Sequence, residues 1–281
     1  MIIDSHQHFW TVSRSDYGWL EPGNRVLYRN YLPHDLAPLL SDNGVSATVL
    51  IQAAPSEAET RYLFEIACSH PFVAGVVGWV DFESPEVQER IRRLAADGGG
   101  KLKGLRPMIQ DIADPEWVSG RALDAAFHAM IRCHLVFDAL VKPAHLDALR
   151  LRLMRHPELR AVLDHAGKPN IEQGQFDTWA RDIERLALDT AVCCKLSGIL
   201  TEAGTRTSFE ELEPYIAHLF SCFGAERILW GSDWPVLDLA SGYAEWLALA
   251  RKLVGRLAPH GEQDVFARTA ARVYGLDQFI T

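Results

Sequence analysis

Short apolar segments rich in β-branched residues alternate along the chain with segments whose apolar residues recur every three or four positions. Candidate strands begin near Ile2, Ala47, Val73, Lys101, His134, Arg160, Ala191 and Arg227. These starts lie about 32 residues apart on average, which is the length of one strand plus one returning helix. Eight such units predict an α/β fold of the (β/α)₈ barrel type, and we expect one domain over residues 1–281.

Capping residues mark where several of the intervening helices begin. Ser56 and Glu59 have the S-x-x-E spacing of a capping box, in which two side chains bond to free backbone N–H groups of the first turn. Ser84 precedes Pro85, an order that predicts a helix with proline at its first position. These features belong to the scaffold and do not indicate a function.

Two stretches depart from the regular spacing. Residues 9–33 form a long segment after the first strand and contain five tryptophans and tyrosines. A loop of that length in a compact domain is usually functional or serves as a lid. Residues 241–257 and 262–274 predict extra helices after the eighth strand that complete the outer layer of the barrel.

Composition narrows the class of protein. The chain is 48% hydrophobic and 23% charged, which suits a folded core. Its formal net charge is -9, and this argues against nucleic acid or an anionic membrane surface as a partner, because either would need a basic face. The longest apolar run, residues 73–80, is too short to cross a bilayer.

The cysteines and the first residues predict a cellular location. Five cysteines are an odd number, and none has the C-x-x-C spacing, so we expect reduced thiols. The first residues lack the basic start and the apolar stretch of a secretory signal. We therefore expect a cytoplasmic protein.

Candidate chemistry lies at the ends of three predicted strands, where barrels of this kind place their catalytic groups. His6 and His8 form an H-x-H pair at the end of the first strand, and the period of two puts both rings on one face. His165 follows the sixth strand and Asp233 follows the eighth. Three histidines and a carboxylate could bind a divalent ion, or they could hold a substrate without metal.

Each of these residues also has a structural interpretation. A lone histidine at a strand end is more often a hydrogen-bonded structural group than a ligand, and H-x-H alone is a weak motif. The pair lies on strand one of an eight-unit pattern that ends with G-S-D on strand eight, and packing alone seldom produces that combination. We therefore favour a functional role for the four residues together.

Other strand ends predict substrate contacts, at Gln52, Trp79, Asp81, Arg106, Lys195 and Trp10. Arginine can donate two hydrogen bonds to a carboxylate, a hydroxyl pair or a carbonyl oxygen. Arg106 could equally pair with Asp81 or Asp138 and serve only the fold. Lys195 lies in an apolar strand and must be paired or functional. The tryptophans could equally be core aromatics.

Several mechanisms lack their motifs. The chain contains no G-x-S-x-G, no G-x-x-x-x-G-K-[ST] and no G-x-G-x-x-G sequence. Serine-nucleophile, nucleotide and nicotinamide chemistry are therefore disfavoured.

Taken together, six segments resemble the amidohydrolase superfamily, and in particular its branch of sugar-acid and pyrone dicarboxylate lactonases. They cover residues 3–10, 16–20, 75–81, 163–169, 194–198 and 230–235. The resemblance implies a (β/α)₈ barrel that hydrolyses a small lactone, with Asp233 as general base. The resemblance points to enzymes that act on L-fucono- or L-rhamnono-lactone in carbohydrate catabolism.

The chain departs from the two-metal members of that superfamily, because their bridging lysine or glutamate on a middle strand has no match. The resemblance leaves open one divalent ion, zinc by expectation, on His6, His8, His165 and Asp233, or a site for which the metal is dispensable. The alternatives are a metal-dependent decarboxylase, a hydrolase of a pyrone or muconolactone, and a barrel that binds a ligand without turnover.

The expected reaction is attack of water on a lactone carbonyl. Asp233 takes the proton from the water. His165, Arg106 or a bound ion stabilises the oxygen on which charge develops. The hydroxyls of the ring are expected to meet Lys195, Gln52 and Asp81, and the long first loop is expected to cover the site.

Overall fold

A computed structural model describes residues 1–280 of the chain. Eight parallel strands form one sheet in chain order, each paired with the next. The strands β1 to β8 span Ile2–Gln7, Val45–Ile51, Val73–Gly78, Leu102–Leu105, Val136–Ala139, Ala161–Leu163, Cys193–Leu196 and Ile228–Trp230. Every predicted strand is present and begins within two residues of its predicted start, so the (β/α)₈ barrel is confirmed.

Backbone contacts between the two ends of the sheet close the barrel. The N–H of His8 donates to the carbonyl of Trp234 at 2.8 Å, and the N–H of Asp233 donates to the carbonyl of His6 at 2.8 Å. These bonds connect the segment after β8 to the end of β1. They bring the H-x-H pair beside Asp233.

Helices alternate with the strands on the outside of the barrel. The helices α1 to α9 span Pro33–Asn43, Glu57–Ser69, Val87–Asp97, Asp124–Arg132, Leu146–Arg155, Asp177–Asp189, Phe209–Phe223, Tyr243–Leu257 and Thr269–Tyr274. A π-helical turn, Asp264–Arg268, leads into α9. The two helices predicted after the last strand are therefore present. None of the helices within residues 1–280 combines the length and apolar character that a membrane span needs.

Two of the predicted helix starts differ in detail from the structure. The Ser56 hydroxyl accepts from the N–H of Glu59, as predicted, but the Glu59 carboxylate turns away and accepts from the N–H of Ala53 at 2.8 Å. The prediction that Pro85 opens a helix is wrong. The Ser84 side chain accepts from Glu86 in a preceding turn, and α3 begins at Val87.

The interior of the barrel has two layers. The lower layer, at the N-terminal ends of the strands, is apolar and packs against α9 in one cluster that includes Ile3, Ala47, Val49, Val77, Val136, Val162, Leu229 and Ala271. The upper layer, toward the C-terminal ends, consists of buried charged and polar side chains. The candidate site lies on this upper layer.

Candidate active site

The end of β1 places His6 and His8 against Asp233. The Nε2 atoms of His8 and His6 lie 3.3 and 3.5 Å from Oδ1 of Asp233. The strand shifts register against β2 between Asp4 and Gln7, so both rings reach the site from an irregular strand end. The Nδ1 atom of His8 lies 2.8 Å from the Ile51 carbonyl, which only accepts, and this assigns the proton of His8 to Nδ1.

Asp4 ties β1 to the segment after β8, and no motif indicated this role. Its carboxylate accepts from the N–H groups of His6 and Ser232 at 3.1 and 2.8 Å and from the hydroxyl of Tyr243 at 2.9 Å. Burial raises the pKa of Asp4 to about 6 despite these bonds. The contacts fix the backbone on both sides of the candidate site.

Asp233 is held in a left-handed backbone conformation, with φ of 60°. Such a conformation is uncommon outside glycine and is concentrated at functional sites. Burial alone raises the pKa of the Asp233 carboxyl, but the imidazoles of His165, His8 and His6 outweigh burial, and the pKa lies below its ordinary value. Asp233 is therefore a carboxylate throughout the neutral pH range.

His165 enters the site from a left-handed turn that follows β6. Residues 165–168 all have positive φ, between 51° and 68°. Nδ1 of His165 lies 2.9 Å from the hydroxyl of Ser197, and Nε2 lies 3.9 Å from Oδ1 of Asp233. A Cβ atom at Gly198 would lie 2.7 Å from the His165 ring, so the ring requires glycine there. Burial lowers the pKa of His165 to about 4, and the ring is neutral at pH 7.

A buried ionic cluster forms the floor of the site. The ammonium of Lys195 lies 2.5 Å from Oδ2 of Asp138 and 2.9 Å from Oδ1 of Asp164, and none of the three is exposed. The Tyr274 hydroxyl, from α9, donates to Asp138 at 2.8 Å. Burial raises the pKa of Asp138 to about 6. Burial acts in the same direction on Asp164, but Lys195 outweighs it and holds the pKa of Asp164 well below its ordinary value.

Arg106 belongs both to the floor and to the wall of the site. Its guanidinium donates to the Gln52 carbonyl, approaches Oδ2 of Asp164 at 3.4 Å and lies 3.4 Å from Nε2 of His6. Its acidic partner is thus Asp164 and neither of the two aspartates proposed from the sequence. The side chain is nevertheless exposed to the pocket above it.

The pocket above these groups has a volume of about 210 Å³. Its walls are formed by His8, Trp19, Ala53, Arg106, Met108, Gln110, Asp111, Leu140, His165, Lys168, Asp233 and Val236. Pockets for drug-sized ligands measure about 300–1,000 Å³. This pocket is therefore suited to a small molecule.

Of the six predicted substrate contacts, only Arg106 lines this pocket. Lys195 is fully buried beneath it, Gln52 is buried and donates to the Arg106 carbonyl, and Trp10 is buried with its N–H on the Arg29 carbonyl. Trp79 and Asp81 line a neighbouring pocket of about 240 Å³ that shares Met108 and Asp111 with the first. We accordingly do not assign a substrate contact to these five residues.

Four polar or aromatic wall residues were not predicted individually, namely Trp19, Gln110, Asp111 and Lys168. Trp19 lies in the long first loop, and its indole donates to the Ala53 carbonyl at 2.7 Å, so that loop does reach the site. Lys168 ends the left-handed turn that begins at His165. Gln110 and Asp111 follow β4 without any motif that could have indicated them.

The site contains a set of groups that fit one metal ion. Ligand atoms of His6, His165 and Asp233 all lie within 4.8 Å of one another, and each of these residues is buried. Two imidazoles and a carboxylate are a donor set that binds divalent transition metals. His8 lies beside this group, with Nε2 3.2 Å from Nε2 of His6.

The chain is similar to known proteins over nearly its whole length. The family model described as amidohydrolase matches residues 3–276. The chain is 43% identical to an L-fucono-1,5-lactonase of Burkholderia ambifaria, over 98% of this chain and 96% of that protein. It is 37% identical to an L-fucono-1,5-lactonase of Burkholderia multivorans, again over 98% of this chain and 96% of that protein.

A solved structure agrees closely in fold. The crystal structure of an amidohydrolase of Burkholderia multivorans with bound zinc superimposes with a TM-score of 0.91. It is 36% identical in sequence, and the match covers 98% of this chain and 99% of that one.

Proposed function

The chain belongs to the amidohydrolase family, and from that premise we propose that it is a lactonase that hydrolyses L-fucono-1,5-lactone or a closely similar sugar-acid lactone to the hydroxy acid. The observation that carries this proposal is the Asp233 carboxylate, which lies at the bottom of a small pocket among three imidazoles with Arg106 beside them. The curated lactonases at 43% and 37% identity support the same reaction.

Asp233 acts as the general base. It removes a proton from a water molecule as the water oxygen bonds to the lactone carbonyl carbon. Collapse of the tetrahedral intermediate breaks the bond to the ring oxygen, which takes the proton back from Asp233 and leaves as the hydroxyl of the open acid. The low pKa of Asp233 makes it a weak base that is always ionised at neutral pH. A lactone is an activated ester, so a weak base is sufficient.

His165 and Arg106 stabilise the carbonyl oxygen as it gains negative charge. The Ser197 hydroxyl can donate to Nδ1 of His165, and this arrangement leaves the proton on Nε2, which faces the pocket. Arg106 supplies a fixed positive charge in a largely water-excluded position, where electrostatic stabilisation is strongest.

The wall residues distinguish one lactone from another. Gln110, Asp111 and Lys168 offer hydrogen-bonding groups to the ring hydroxyls, and Trp19 offers an apolar face. Lys168 is itself held by Glu202 at 3.0 Å.

A metal ion, zinc by preference, fits His6, His165 and Asp233 and would supply a Lewis acid for the carbonyl oxygen. The bound zinc of the solved relative supports this choice of metal. The proposed proton transfer and charge stabilisation use only side chains, so we propose that the metal is dispensable for turnover.

The test is a panel of sugar lactones in a pH-indicator assay, run with and without a chelator. Release of acid from L-fucono-1,5-lactone in both conditions is the expected result. Release of carbon dioxide from aromatic acids, lost on chelation, would instead indicate a decarboxylase. Binding of lactones without turnover would indicate a barrel that has lost its activity.

We also propose that the enzyme acts in the cytoplasm. All five cysteines are unpaired in the structure, and three of them are at least partly accessible. Unpaired thiols are typical of reducing compartments.

A further inference from the structure

The ring of His6 lies between two buried cations. Nζ of Lys195 is 3.2 Å from its Nδ1, and a terminal guanidinium nitrogen of Arg106 is 3.4 Å from its Nε2. Both cations donate hydrogen bonds and neither can accept one. A neutral imidazole carries a single proton, so His6 can accept from only one of them.

The contacts of Lys195 favour acceptance at Nδ1. An ammonium has three N–H groups, and Lys195 has three partners, namely Asp138 at 2.5 Å, Asp164 at 2.9 Å and His6 at 3.2 Å. A proton on Nδ1 would find only Asp164, at 3.6 Å, which is too far for a hydrogen bond. Arg106, by contrast, has a second acceptor in the other oxygen of Asp164, at 3.4 Å.

The other side of the ring offers an acceptor for a proton on Nε2. Because His8 donates from Nδ1 to the Ile51 carbonyl, its Nε2 is bare. That bare nitrogen lies 3.2 Å from Nε2 of His6. Along the path from Lys195 through His6 and His8 to Ile51, every donor then meets an acceptor. Oδ1 of Asp233 lies 3.3 Å from the bare nitrogen of His8 and 3.5 Å from Nε2 of His6, so His6 is the ring that turns a proton toward this carboxylate.

We propose that Lys195 is a positioning residue that fixes His6 in the tautomer with its proton on Nε2, the nitrogen that faces Asp233. His6 is then a hydrogen-bond donor to the site. A metal ion needs a histidine nitrogen without a proton, so Lys195 opposes metal binding at His6. The inference uses the site of the proposed function, but it does not depend on which lactone is hydrolysed, and its readouts need no substrate.

The first test is the tautomer itself. Two-bond ¹H–¹⁵N spectra of the metal-free, ¹⁵N-histidine-labelled protein distinguish the two neutral tautomers, and His6 is identified by the signal lost in His6→Gln. The expected result is a proton on Nε2. A proton on Nδ1 in the unsubstituted protein would overturn the proposal, and this measurement needs no variant of Lys195.

The second test measures zinc affinity by competition with a chromophoric chelator. Lys195→Met would leave the buried carboxylate of Asp138 without a cation, whereas Asp164 would keep Arg106. The informative pair is therefore Asp138→Asn and the double variant Asp138→Asn/Lys195→Met, both checked for native circular dichroism. We expect the double variant to bind zinc at least about tenfold more tightly than Asp138→Asn, which is the usual scale of effects from groups that orient metal ligands.

Lys168→Met is the matched control for loss of charge, because it removes a cation from the pocket wall without touching His6. If the Lys195 substitution raises the zinc affinity clearly more than Lys168→Met does, the result supports the proposal. Equal gains, or no gain, would mean that Lys195 acts only through its charge or only through the fold, and either result would overturn the proposed role.

Discussion

The two layers inside the barrel are built from the same strands and differ completely in chemistry. Val162 and Asp164 are two positions apart on and just beyond β6, and Cys193 and Lys195 are two positions apart on β7. Two positions correspond to about 6.6 Å along a strand. Within that distance the interior changes from an apolar cluster packed on α9 to a network of buried charges.

The residues that stabilise the barrel and the residues that equip it for chemistry occupy different layers. The lower layer stabilises the fold through buried apolar area, which needs no particular geometry beyond close packing. The upper layer contains charged side chains, which are costly to bury unless each is paired. Contacts with Asp164 and Lys195 hold Arg106 and His6, respectively, in place. We expect substitutions in the two layers to have different effects.

The largest effect should come from Asp233→Asn at the top of the upper layer. Loss of the general base should lower kcat by about 10²–10⁴-fold, measured with the lactone that gives the highest rate. Circular dichroism should show the native fold. Asp238→Asn is the matched control, because this half-buried carboxylate follows the same strand and lies outside the pocket. Near-normal turnover in Asp233→Asn would remove Asp233 from its assigned role.

A second prediction contrasts two buried carboxylates near the site. Asp164 has Lys195 and Arg106 as partners, whereas Glu59 has no ion pair among residues 1–280, and burial raises its pKa to about 8. Between pH 4.5 and 8 the unfolded chain therefore loses a proton that folded Glu59 keeps. The stability that comes from this proton is complete below pH 4.5 and is lost as the pH rises through 8.

Glu59→Gln should remove this loss of stability with rising pH, because a glutamine side chain does not titrate. Urea unfolding at pH 5 and pH 8 should show the variant gaining about 2–4 kcal/mol relative to the unsubstituted protein over this interval. Glu65→Gln, an exposed change on the same helix, should show no such gain. A parallel pH dependence in Glu59→Gln and the unsubstituted protein would contradict the raised pKa.

The sequence was informative about residues that directly follow a predicted strand. His6, His8, His165 and Asp233 follow apolar runs, and the strand periodicity places their side chains at one end of the barrel. All four meet in the structure because parallel strands end at the same rim.

The sequence was uninformative where a role depends on depth in the barrel or on an irregular loop. Lys195 and Arg106 were both predicted as substrate contacts, but only Arg106 lines the pocket, whereas Lys195 is fully buried beneath the histidines. Strand register and the bend of the loop after β4 decide such positions. The wall residues Gln110 and Asp111 depend on that loop and carry no periodic signal.

A third, smaller effect should come from the lower layer. Val162→Ala removes two buried carbon atoms from the apolar cluster, so the free energy of unfolding should fall by about 2–3 kcal/mol. Its kcat should stay within about twofold, because no group of the upper layer changes. Val26→Ala, at a partly exposed position in the first loop, should leave both quantities unchanged. A large loss of kcat in folded Val162→Ala would show that the two layers are not independent.

The smallest effect concerns the boundary of the pocket. Asp81 lines only the neighbouring cavity, whereas Asp111 lines both that cavity and the pocket that contains Asp233. Asp81→Asn should change kcat/KM by less than about twofold, since the carboxylate is outside the pocket that contains Asp233. Asp111→Asn, the same chemical change on the shared wall, should raise KM by about tenfold through loss of a charged hydrogen-bond acceptor for a ring hydroxyl. Equal effects of the two substitutions would mean that the substrate extends across the shared wall into the second cavity, and the lactone would then be larger than a single sugar ring.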